Sequence, residues 1–150
     1  MISLVSLGAR IPTGSGLARD LAMAFRLLGI PRHEICEIYF CDTRRMRELN
    51  KRFRRRNHAT TVLSFEVPGG FPAGRDRAIG EVYVCPEEIR RRPAPGIVYT
   101  GSVGFSEKLM YYILHGILHV RGYDHDGDWF SRKRMEQTEL SLWYRICPRV

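Results

Sequence analysis

Three of the chain's five histidines stand within eleven residues, in the run HGILHVRGYDH from His115 to His125. His115 and His119 are four apart, and on a helix that spacing places both imidazoles on one face, one turn above the other. Gly122 follows where a helix C-terminus calls for a left-handed residue, so the chain can turn back and bring His125 toward the same point. Three neutral imidazoles converging, with a fourth position left to water, make the donor set of a catalytic zinc centre. An all-imidazole set favours one zinc ion per chain, with nickel, copper or iron as alternatives. A single histidine on this helix reads as a packed or hydrogen-bonded side chain. It is the third, just past a glycine, that turns the reading to metal. His33 and His58 fall in loops and read as solvated.

The spacing HxxxHxxGxxH is also that of a long zinc-peptidase motif, which needs a glutamate directly after the first histidine as general base. Gly116 stands there and cannot take a proton, so the metal survives the comparison and ordinary peptidase chemistry does not. Asp124 and Asp126 flank His125, each readable either as a residue that orients an imidazole or as a cap for the last helix. The general base is therefore left unassigned.

The second chemical signal is cationic. Residues 44 to 56 hold eight basic side chains against Glu48 alone, a net +7 out of the chain's +8. A charge run is ordinarily a solvated face, but arginine dominates this one, and its planar fork grips phosphate bidentately. Arg44, Arg47, Lys51, Arg54 and Arg55 are the candidate RNA contacts, giving affinity and salt dependence but little sequence discrimination. Met46, Leu49 and Phe53 would dock the helix on the core, too few apolar residues for a membrane-surface helix. With 150 residues, a hydrophobic fraction of 44% and a charged fraction of 27%, the chain is neither disordered nor fibrous. Its pI near 9.7 points to a polyanionic partner.

Positioning these groups requires a scaffold, and its pattern is readable. Met1 to Leu7 alternates as a strand. Ser15 would cap a helix through Leu17, Leu21, Ala24, Phe25 and Leu28, ended by Gly29 and Pro31. Glu34 to Cys41 is a β-branched and aromatic strand, after which Asp42 or Thr43 opens the arginine-rich helix. Strands are expected at Val62 to Val67 and Ile79 to Val84, around the turn-rich PGGFPAGRDR, with a short helix after Pro86 that RRPAPG breaks. The longest apolar helix would start at Ser102 or Ser106 and reach Gly122, and a last helix would run from about Ser131 to Ile146. The expectation is one α/β (α+β) domain over residues 1–150: a four-stranded mixed sheet, about five helices, and the metal site at the end of the longest helix.

Cys36, Cys41, Cys85 and Cys147 form no CxxC pair and are too scattered for a disulfide framework, so they read as small apolar residues. Cys36 and Cys41, five apart in one strand, would point to opposite faces. No basic-then-apolar leader and no apolar run approaching ~18 residues is seen, so a cytoplasmic protein with no membrane partner is expected.

Taken together, three segments resemble the YbeY family of bacterial rRNA maturation factors, zinc-dependent endoribonucleases. The family signature HGxLHxxGYDH is met in full from His115 to His125. A block of the form LNxxYRxxxxxTDVLSF is approached by Leu49, Asn50, Phe53, Arg54, Thr60, Val62, Leu63, Ser64 and Phe65. A Gly-Asp-Ile strand corresponds to Gly80, Glu81 and Val82, so the resemblance runs from about Leu49 to Glu139. It implies metal ligation by His115, His119 and His125, with Arg54 as a functional arginine beside the metal cleft. Thr61 replaces the usual acidic or amide residue and Glu81 the usual aspartate.

The expectation that follows is a zinc-dependent, single-strand-specific endoribonuclease. His115 and Arg54 would be catalytic, and the enzyme would act on ribosomal RNA at the ribosome, in small-subunit 3′-end processing and quality control. Two rivals are an RNA-binding assembly factor with structural zinc and a zinc hydrolase of other substrates. Structural zinc sites are normally closed by a fourth protein ligand, which disfavours the first.

Overall fold

The computed structural model describes residues 1–12, 16–67, 77–93, 103–123 and 128–147. Its elements are β1 (Ile2–Leu7), α1 (Leu17–Leu27), β2 (Glu34–Cys41), α2 (Thr43–Arg54), β3 (Val62–Glu66), β4 (Arg77–Val84), α3 (Pro86–Arg91), α4 (Phe105–Val120) and α5 (Trp129–Ile146). The strands form one sheet in the order β1-β2-β4-β3. β1, β2 and β4 are parallel, and β3 lies antiparallel on β4 at one edge. Among the described residues the chain forms the expected mixed four-stranded sheet and five helices.

Alternation along the strands divides the side chains between two layers. Cys36, Ile38 and Phe40 of β2, with Val82 and Val84 of β4, join the apolar faces of α1, α3, α4 and α5 in the main core. On the other face Cys41, Leu63 and Cys85 pack with Met46 of α2. Cys36 and Cys41 thus do face opposite layers. All four cysteines are free, and burial is the main cause that pushes the thiols of Cys36 and Cys41 up to about 12. They act as small apolar side chains.

Helix ends depart from expectation in physically simple ways. Gly16, in the left-handed region at φ 68°, precedes α1, whereas Ser15 lies outside the described residues. α4 opens at Phe105 behind Gly104; Ser106 is already inside it and Ser102 lies outside the described residues. α5 begins two residues before Ser131 because Asp128 accepts the Ser131 amide hydrogen at 2.8 Å, taking the capping role considered for Asp124 and Asp126. That extension corrects one expectation: α5, with 18 residues, is longer than the histidine-bearing α4 with 16. Among the described residues no helix is long and apolar enough to cross a membrane.

α4 is buried on most of its circumference and lies directly on β4, which two glycines make possible. A Cβ on Gly80 would sit 2.5 Å from Val120 Cγ1 and 2.7 Å from the Phe65 carbonyl oxygen. A Cβ on Gly116 would sit 2.5 Å from Val82 Cγ1 and 3.2 Å from Val62 Cγ2. Gly116 is therefore the contact point of helix and sheet, and a glutamate there would have no room. Overpacking costs about 1–3 kcal/mol, against a helix-propensity gain for alanine over glycine of about 1 kcal/mol. Gly116→Ala is accordingly expected to lower the urea midpoint at unchanged slope; a midpoint at or above wild type would contradict this contact.

Candidate active site

The site grows from the last two turns of α4. Gly122, at φ 80°, lets the chain leave the helix: its amide hydrogen bonds the His119 carbonyl at 2.8 Å and the Tyr123 amide the Leu118 carbonyl at 3.0 Å. This turn follows His119 as the glycine foretold. His115 and His119 project together, ring centroids 4.7 Å apart, with their Nε2 atoms at 3.2 Å. Two nitrogens held at 2.0–2.1 Å by one tetrahedral zinc would be about 3.3–3.4 Å apart. The pair fits such an ion. His125 lies outside the described residues, as do Asp124 and Asp126.

The orientation of His115 is set from α5. Its Nδ1 lies 2.5 Å from Glu139 Oε1, and Glu139 is only 2% exposed. A carboxylate accepts, so Nδ1 carries the proton and Nε2 presents its lone pair to the cleft. Tyr111, one turn before His115, donates its hydroxyl to the other carboxylate oxygen of Glu139 at 3.2 Å. Burial, then the adjacent Glu139 charge, raises the Tyr111 pKa, which keeps the phenol a donor. Glu139→Gln keeps the shape of this link but loses its charge. It is expected to weaken zinc affinity by about 10–100-fold, read by chelator competition. Affinity equal to wild type would leave Glu139 a packing residue.

The opposite wall comes from α2 and the segment after it. Asp42 caps α2, accepting from the Arg45 amide at 2.7 Å. The helix ends at Arg55, held in the left-handed region at φ 58°, where the chain folds back. Asn50, 2% exposed, fastens the returning segment by donating Nδ2 to the His58 carbonyl at 2.7 Å. The result is a cleft of about 370 Å³ across the edge strand β3, with Arg54, Arg56, His58, Thr60 and Ser64 facing His115 and His119.

Arg54 and the two described histidines are therefore brought together as expected. Arg56 from the same cationic run also lines this cleft, whereas the other candidate RNA contacts, Arg44, Arg47, Lys51 and Arg55, do not. Arg44, 85% exposed on its side chain, lies 3.8 Å from Glu48, and Arg47 donates to Asn57 Oδ1 at 3.0 Å. Lys51 and Arg55 are exposed and outside the cleft lining. His58, read as a loop histidine, is exposed but also lines the cleft. Thr61 is buried at 6% and pairs through its carbonyl with the Cys85 amide at 2.9 Å. Glu81 accepts from Tyr83 on the sheet face away from the histidines, 2.7 Å from its hydroxyl, so its departure from the family aspartate does not touch the cleft. Glu139, Arg56 and Tyr111 were missed. The available signal for Glu139 was its place among Met135, Leu142, Trp143 and Ile146 on the apolar stripe of α5.

A histidine pair and an arginine sharing one cleft can be set beside known proteins. The family model for endoribonuclease YbeY matches residues 17–146. The chain belongs to this family. Endoribonuclease YbeY of Aquifex aeolicus is 30% identical over 138 residues, which cover 91% of this chain and 85% of that protein. The YbeY of Bdellovibrio bacteriovorus is 36% identical over 92 residues, covering 59% of this chain and 52%, about half, of its own length. The solution structure of TM1509 from Thermotoga maritima is similar at a TM-score of 0.57 and 25% identity, covering 97% of this chain and 89% of that one. The printed name of these YbeY relatives is endoribonuclease, an activity that belongs to those proteins.

Proposed function

We propose that the chain is a zinc-dependent endoribonuclease that cuts single-stranded RNA, acting in ribosomal RNA maturation at the small-subunit 3′ end and in ribosome quality control. The observation that carries the metal reading is the pair of Nε2 atoms of His115 and His119 at 3.2 Å, with His115 aimed by Glu139. His125 would complete the set. Zinc bound there supplies Lewis acidity toward a water and a phosphoryl oxygen. Everything else falls to the chain's own groups. Glu139 fixes the His115 tautomer, and Arg54 and Arg56 hold the phosphate and meet the negative charge that builds on it. Thr60 and Ser64 offer hydroxyls to the ribose and phosphate along β3.

Single-stranded RNA is favoured because the lining runs along one edge strand between two helices. A narrow cleft of this kind admits an unpaired strand more readily than a duplex. The ribosomal assignment rests on family membership. The test is cleavage of a small-subunit rRNA fragment carrying both paired and unpaired stretches. Cuts are expected only in the unpaired stretches, to be lost on chelation and restored by zinc. RNA binding that survives chelation with no metal-dependent cleavage would instead make this an assembly factor with structural zinc.

A further inference from the structure

The first turn of α5 carries a surface that the cleft does not explain. Trp129 and Phe130 are 60% and 75% exposed and pack edge to face, ring centroids 5.1 Å apart at 84°. Lys133 sets its ammonium 4.6 Å from the centre of the Trp129 ring. Residues 129 to 134, WFSRKR, hold three cations and no acidic side chain.

The position of this turn follows from how α5 crosses α4. Tyr111 meets Trp143, His115 meets Glu139 and Tyr123 meets Arg134, so the helices run antiparallel and the start of α5 overhangs the His119 end of α4. By this pairing His119 lies level with Met135, and Trp129 sits about 9 Å further along the axis. At 3.6 residues per turn Trp129 lies roughly 80° around the helix from Glu139. Arg134, Thr138 and Ser141 lie on the far side, where they line a groove with Leu27 and Leu28 of α1. Trp129 therefore points sideways from the α4 contact, and Phe130, roughly 180° from Glu139, lies on the outer face.

We propose that Trp129 and Phe130 form a stacking platform for an unpaired base of the RNA strand where it leaves the His119 end of the cleft, with Lys133 against the adjoining phosphate. This rests on the single-strand reading of the substrate. Exposed aromatic faces interleaved with cations are the chemistry by which proteins hold unpaired nucleic acid, and stacking contributes about 1–3 kcal/mol per base. A second copy docked by the same patch would set three cations against three cations, which disfavours it as occupant. A bilayer would require a longer apolar face than one turn offers.

The chain has two tryptophans, and Trp143 is fully buried, so a change in emission on ligand addition reports Trp129. Zinc-loaded protein titrated with an uncleavable 2′-O-methyl oligoadenylate is expected to show saturable quenching, which Phe130→Ala weakens while keeping the reporter. W129A/F130A should lose at least about tenfold in affinity for a labelled single strand, with unchanged affinity for a duplex of equal length and unchanged thermal midpoint. Wild-type affinity in that double variant, with the parent binding normally, overturns the platform and leaves the single-strand reading standing. A parent that ignores single strands overturns that reading and the platform with it. Loss of self-association in sedimentation with RNA affinity intact would make the patch a dimer contact and also overturn the platform.

Discussion

Replacing His115 and His119 together by alanine is expected to take bound zinc from about one equivalent per chain to near zero and to lower RNA cleavage by at least about a thousandfold. That factor corresponds to about 4 kcal/mol of transition-state stabilisation, the order a Lewis acid supplies to phosphoryl transfer. Metal analysis and cleavage assay read the two losses separately. The substitution has a structural side as well. Without the His115 imidazole the buried Glu139 carboxylate keeps only Tyr111 as a hydrogen-bond partner among the described contacts. An under-satisfied buried group costs about 1–3 kcal/mol, so part of any lost activity could be lost folding. His119→Ala alone separates the two, because the Glu139 link to His115 is untouched. It should lose most metal and activity at near-wild-type thermal stability. Metal retained at full stoichiometry in the double variant would remove the site.

The difference between His115 and Glu139 also shows what could be read without coordinates. His115, His119 and Gly122 were legible because all three relations are local: an i, i+4 face and a left-handed exit both follow from helix geometry. The absence of a glutamate at position 116 was visible too, but its cause was not. Only packing reveals that Gly116 touches Val82 across the helix–sheet interface. Glu139 lies 24 residues from its partner, and although its place on the apolar stripe of α5 marks it for burial, nothing local says which side chain it meets. The cationic run was legible as charge but not as direction. Asp42 fixes where α2 starts and Arg55 where the chain turns back, and between them only Arg54 reaches the cleft from within the helix. Arg56 and His58 arrive from the returning segment, whose course depends on Asn50, a polar residue whose 2% exposure no local pattern announces. The sheet order was likewise set by long-range pairing, with β4 entering between β2 and β3.

That geometry makes a sharp distinction among the arginines. Arg54→Ala is expected to lower cleavage by about a hundredfold, in the range seen when a donor that meets developing charge is removed, while zinc content and thermal midpoint stay at wild-type values. Arg54→Lys keeps the charge but loses the planar fork, so it should recover only part of the rate. Arg44→Ala tests the alternative that charge alone matters. Arg44 stands on α2 beside Glu48 and away from the cleft lining, so its loss should weaken binding at low salt, with a shallower salt slope and little change in the rate of the bound complex. If Arg44 and Arg54 instead lowered cleavage equally, and both effects vanished at saturating RNA, the helix would be a uniform electrostatic surface. The hundredfold difference is expected because only one of the two side chains shares its cleft with the histidines.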